Sequence, residues 1–186
     1  MKQLVRAAVP VLTVILFAAC NDQGAKSENA TDTAALEVHD HSSMADSNAA
    51  AAIQLKDDKL NAVYQHYVHL TTALINGDEA EAKIAGNAIE TGAAAVAEGK
   101  ALGAAAAKIT AAGDIEAQRT AYADLSNNFI SLVKKSGLNS GALYVDFCPM
   151  AMNDKGAYWL SANKEVKNPY FGEKMMTCGE VKETIE

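Results

Sequence analysis

A chain of 186 residues carrying 23 acidic against 16 basic side chains, net charge −7, is long enough to bury one real core and too acidic to make nucleic acid an expected partner. Hydrophobic residues make up 49% of it but aromatics only 6%, so the core must be assembled largely from small side chains. No Ser-His-Asp signature, phosphate-cradling loop or zinc-hydrolase helix motif is present, and the acids are scattered over helix faces, so no enzyme class is indicated.

The N-terminus reads as an export signal over residues 1–19. Lys2 and Arg6 supply positive charge, an apolar run follows over 7–17, and Ala18-Ala19 precede Cys20. That run is too short for a stable bilayer anchor. Its ending, Leu16-Phe17-Ala18-Ala19-Cys20, resembles a bacterial lipobox, which implies acylation of Cys20 and attachment to the bacterial membrane, periplasmic side. Phe17 departs from the usual small aliphatic there, and ordinary cleavage or an uncleaved anchor are the alternatives. Losing the signal leaves 14 basic against 23 acidic residues, a net charge of −9.

Residues 20–56 form a polar tether with few large apolar side chains to repay the entropy of folding. Within it, His39, His41 and Met44 place two imidazoles and a thioether close together, a secondary arm for metal capture. The plain alternative is a histidine pair with no specific role.

A helical bundle is expected over 57–137. Leu60, Val63, Tyr64, Tyr67, Thr71, Leu74 and Ile75 recur at helical spacing, and Asn76-Gly77 ends the run. Asp78 with Glu81 predicts a capping box opening a second helix, alanine-rich with Gly86 and Gly92 inside it. Residues 100–112 form either a further short helix or a continuation of the second. Gly113-Asp114 starts the last helix, whose stripe is Ile115, Tyr122, Leu125, Phe129, Leu132 and Val133. The fold class is therefore mainly α, an up-and-down bundle of three to four helices. His66 and His69 lie beside the first stripe and read as solvent-facing. Haem ranks below copper as a cofactor, because Cys-x-x-Cys-His is absent and no histidine faces the core.

Residues 138–186 read as an irregular, turn-rich segment of the same domain wrapped on the bundle, with Tyr158, Trp159, Tyr170 and Phe171 as anchors and no alternating run long enough for a substantial sheet. Here sulfur gathers: Cys148, Met150 and Met152 in one block, Met175, Met176 and Cys178 in another. Thiolates and thioethers select soft ions, which points to Cu(I), with Ag(I) as the alternative cargo. In an oxidising compartment the competing expectation is a Cys148–Cys178 disulfide with the methionines as ordinary core.

Cys148-Pro149-Met150-Ala151, Gly156-Ala157-Tyr158-Trp159-Leu160-Ser161, Asn168-Pro169-Tyr170-Phe171-Gly172 and Met175-Met176-Thr177-Cys178-Gly179 resemble a domain-of-unknown-function family. Its members occur in bacterial exported lipoproteins and attached to periplasmic adaptors of copper and silver efflux systems. The resemblance extends back to Tyr64, over residues 57–186, and implies heavy-metal handling with a copper-efflux adaptor or pump as partner. It supplies no reaction.

Overall fold

Aspartate starts three of the four bundle helices among the described residues. In the computed structural model, which describes residues 52–186, Asp57, Asp78 and Asp114 stand in extended backbone and accept hydrogen bonds from first-turn amides. These caps satisfy donors that a helix N-terminus leaves open. They begin α1 (Asp58–Asn76), α2 (Glu79–Ala93) and α4 (Ile115–Ser136). Between the last two lies α3 (Lys100–Ala111), a separate helix rather than a continuation, which starts at Gly99 without a side-chain cap. The capping box at α2 is half formed. Glu81 N–H donates to Asp78, but the Glu81 carboxylate turns away to His69 Nε2 at 2.9 Å.

Each helix packs on the next in sequence, giving the expected up-and-down bundle. Leu60, Val63, Tyr64, Tyr67, Leu70 and Leu74 from α1 meet Tyr122, Leu125, Phe129 and Val133 of α4 in a single buried cluster, while α2 and α3 contribute mainly Ala82, Ala85, Ile89, Leu102, Ala106 and Ile109. Small residues bring backbones close. A Cβ on Gly92 would lie 2.8 Å from Val63 Cγ2, so glycine there lets α2 approach α1. His66 and His69 are exposed, on the solvent side of α1.

The folded chain begins earlier than the boundary at residue 57 read from composition. β1 (Gln54–Leu55) pairs antiparallel with β2 (Leu138–Ser140), and Leu55, fully buried, is the apolar residue that makes it worthwhile. Lys56 N–H to Gly137 O at 3.0 Å and Asp57 N–H to Ser136 Oγ at 3.1 Å continue the seam beside the exit of α4.

The C-terminal part is turn-rich, as expected, and its short strands pair into a small sheet. β3 (Leu143–Cys148), β4 (Ala157–Ser161) and β5 (Glu180–Ile185) form an antiparallel sheet in the order β4-β3-β5. Tyr144 opposes Ser161 and Cys148 opposes Ala157 across β3 and β4. Against β5 the register slips by one residue between Val145 and Asp146, leaving Lys182 as the extra residue. Buried phenols close the outer edge of β4: Leu160 N–H donates to Tyr67 Oη at 2.9 Å, and Tyr170 Oη donates to the Tyr158 carbonyl at 2.6 Å. Bundle and sheet thus share one compact unit. No helix among the described residues is long and apolar enough to cross a membrane.

Candidate functional site

The two cysteines come from segments 30 residues apart and meet sulfur to sulfur, Sγ to Sγ 2.8 Å. Cys148 is the last residue of β3, held opposite Ala157 and fully buried. Cys178 is partly exposed, between a single 3₁₀ turn (Gly172–Met175) and β5. Its position is fixed by Asn168, a buried side chain with every group engaged. Asn168 Nδ2 donates to the Cys178 carbonyl at 2.7 Å, and its Oδ1 accepts from Tyr170 N–H at 2.8 Å and Phe171 N–H at 3.2 Å. Its own N–H donates to Met176 O at 2.7 Å. This is an Asx turn that doubles as a tie between two loops.

Arg119 fixes the same loop from the helical side. Its guanidinium, nearly buried, donates to Pro169 O at 3.1 Å, to Leu74 O at the end of α1 at 2.8 Å, and to Glu116 at 3.1 Å. Gly172, at φ +56°, fits beneath it: a Cβ there would fall 2.5 Å from Arg119 Nη2 and 2.7 Å from Ile75 O. The Arg119–Glu116 pair is expected from their spacing on a helix, whereas the docking of the C-terminal loop is not.

Electrostatics at the pair follow from its closeness. The Cys178 thiol is pushed up to about 11, first by its hydrogen bond to the Cys148 sulfur, then by burial and by the charge on Cys148, with the Met150 N–H pulling the other way. Two thiolates on one tetrahedral zinc ion, each about 2.3 Å from it, stand about 3.7 Å apart, so holding an ion in that geometry requires these sulfurs to part by roughly 1 Å. As placed, they suit pairing with each other.

The methionines are divided. Met150 and Met152 line a cleft of about 620 Å³ together with Glu116, Arg119, Tyr170 and Phe171. Met150 is well exposed, and Met152 packs partly against the core. Met175 ends the 3₁₀ turn and Met176 follows it, both before Cys178, and neither lines that cleft. Among the described residues no three of His, Cys, Asp or Glu gather to hold an ion, so a soft ion here would draw on the two thiolates and on thioethers. Cys20, His39, His41 and Met44 lie outside the described residues.

The backbone after Cys148 is strained. Met152, Asn153 and Asp154 all take positive φ, between 55° and 62°, a left-handed turn built without glycine. It is closed by Gly156 N–H to Ala151 O at 2.9 Å.

Asp146, two residues before Cys148 on the central strand, is fully buried, and neither carboxylate oxygen has a hydrogen-bond partner among the described residues. Burial raises its pKa to about 7. A lone acid inside the apolar run Leu143–Cys148 is the sequence signal that marks it, just as Asn168-Pro169 marks the Asx turn.

Residues 63–141 match the family model described as Protein of unknown function (DUF3347). That match spans most of the bundle and stops before β3, so the cysteine-bearing sheet, whose blocks carry the resemblance read from sequence, lies beyond it. No curated protein and no solved structure matches the chain significantly.

Proposed function

We propose that this chain is an exported, lipid-anchored protein that binds Cu(I) as cargo through its reduced Cys148–Cys178 pair, buffering the ion or passing it to an efflux partner. The observation that carries this reading is the convergence of two distant cysteines, each flanked by methionines, on one partly accessible point. Two thiolates supply the charge that a monovalent soft ion needs, and one or two thioethers from the set Met150, Met152, Met175 and Met176 complete its shell without risk of disulfide formation. Ag(I) is the alternative cargo on the same chemistry. His39, His41 and Met44 serve as a weaker collecting arm, and Cys20 carries the lipid.

The 2.8 Å approach of the sulfurs favours a second reading, a disulfide-stapled adaptor without metal. The two combine if the disulfide is the metal-free form and reduction exposes the ligands. The deciding experiment titrates the reduced chain with Cu(I) under anaerobic conditions against a chromogenic chelator, beside a thiol count on the protein as purified. One copper held per chain, released by Cys148→Ser or Cys178→Ser but kept when His39 and His41 become alanine, is the expected result. Equal affinity in wild type and both serine variants leaves only the stapled module.

A further inference from the structure

We propose that thiol–disulfide exchange at this pair is polarised: an external thiol or disulfide engages Cys178, and Cys148 is the sulfur that leaves and resolves. This deepens the reading above, since it describes how the dithiol is opened for cargo, but it rests on the pair being reversible and not on copper.

Exchange at a disulfide is an in-line displacement, so the attacking sulfur must approach along the S–S axis from beyond the sulfur it attacks. Beyond Cys148 lies the interior, because that residue is fully buried at the end of the central strand. Cys178 is partly open to solvent, on the turn leading into β5, a strand whose residues from Glu180 to Thr184 are all exposed. The asymmetry is built in. Asn168 ties down the Cys178 carbonyl and β4 ties down Cys148, so neither can exchange its environment for the other's without breaking buried hydrogen bonds.

In the reducing direction an external thiolate RS⁻ bonds to Cys178 Sγ as the Sγ178–Sγ148 bond breaks, and the electron pair leaves on Cys148. A second RS⁻ then attacks the R sulfur of the adduct, releasing RSSR and the Cys178 thiolate, and both protein sulfurs take up protons from solvent. In the oxidising direction the Cys178 thiolate, its proton lost to solvent, attacks RSSR and expels RS⁻. The Cys148 thiolate then displaces the second RS⁻ from Cys178. Both directions pass through one intermediate, a mixed disulfide on Cys178.

Glutathione serves as the probe. Full-length Cys148→Ser and Cys178→Ser proteins, incubated with oxidised glutathione under native conditions, are digested and read by mass spectrometry so that Cys20 is scored separately. Cys178 in the first variant should take up glutathione at least about tenfold faster than Cys148 in the second, and the ratio should collapse towards one in denaturant. Equal or reversed native rates overturn the proposal. If serine at the buried position 148 unfolds the sheet, the order is read on reduced wild type by a brief pulse of N-ethylmaleimide and peptide mapping. Cys178 labelled first supports it, and Cys148 labelled first or together with Cys178 overturns it. A protein that binds no Cu(I) but labels in this order retires the metal reading alone. One that binds Cu(I) but labels Cys148 first retires the exchange order alone.

Discussion

Burying Asp146 carries a cost that depends on pH. A carboxylate with no exposed surface and no partner resists ionisation, and burial accordingly lifts its pKa to about 7 from the ordinary 3.8. Between these two values the unfolded chain has lost the proton and the folded chain keeps it, so the folded state binds more protons and stability falls as pH rises. Below the lower value the penalty is absent, and above about 7 it is present in full, at most roughly 4 kcal/mol. Asp146→Asn should therefore flatten the pH dependence of urea unfolding between pH 4 and pH 7. It should gain most over wild type near pH 8, less whatever it costs to bury an unpartnered amide. A variant whose stability keeps the wild-type slope across that interval would show that Asp146 finds a partner in solution.

At the scale of elements, three helices are legible in the sequence, the stretch 100–112 is open between a separate helix and a continuation, and the sheet is not legible, for physical reasons. Asp57, Asp78 and Asp114 advertise helix starts, and the stripes Leu60–Leu74 and Tyr122–Val133 repeat at helical spacing because one face of each helix meets the core. β5 has almost nothing buried, so Glu180–Ile185 carries no apolar alternation to betray it. In β3, Val145 and Asp146 are both buried, which blurs the two-residue period that marks a half-exposed strand. The cysteine and methionine blocks were visible in the sequence. What holds them was not, because Arg119 and Asn168 act across 50 and 10 residues respectively through backbone carbonyls, and backbone leaves no mark on residue type. Asn168→Ala would strand two amide donors and a carbonyl at once. It is expected to cost about 2–4 kcal/mol in thermal or urea unfolding, and to speed hydrogen exchange at Tyr170 and Phe171 while α2 and α3 keep their protection. Loss of protection spread evenly over the bundle would mean that the loop and the helices open together.

For the whole molecule, the question is whether the sulfur pair staples one cooperative unit or a detachable flap. Sheet and bundle share Tyr67 with Leu160, Arg119 with Pro169, and the Tyr122–Tyr170 ring contact at 5.6 Å, so the sheet cannot leave without opening the helical core. Oxidation that joins Cys148 to Cys178 closes a loop of 30 residues. In the chain-entropy account such a link removes freedom from the unfolded chain worth about 3.5 kcal/mol. In a domain of this size that corresponds to roughly 10 °C in Tm. Calorimetry of the oxidised and reduced protein should accordingly show one transition in each state, shifted upward by about that amount on oxidation. Identical Tm values would mean that the sulfurs do not bond to one another. Two transitions in the reduced protein, the first removing only β3, β4 and β5, would make the sheet a flap that the pair latches to the bundle, and control of that pair would then govern access to the cleft beside Met150 and Met152.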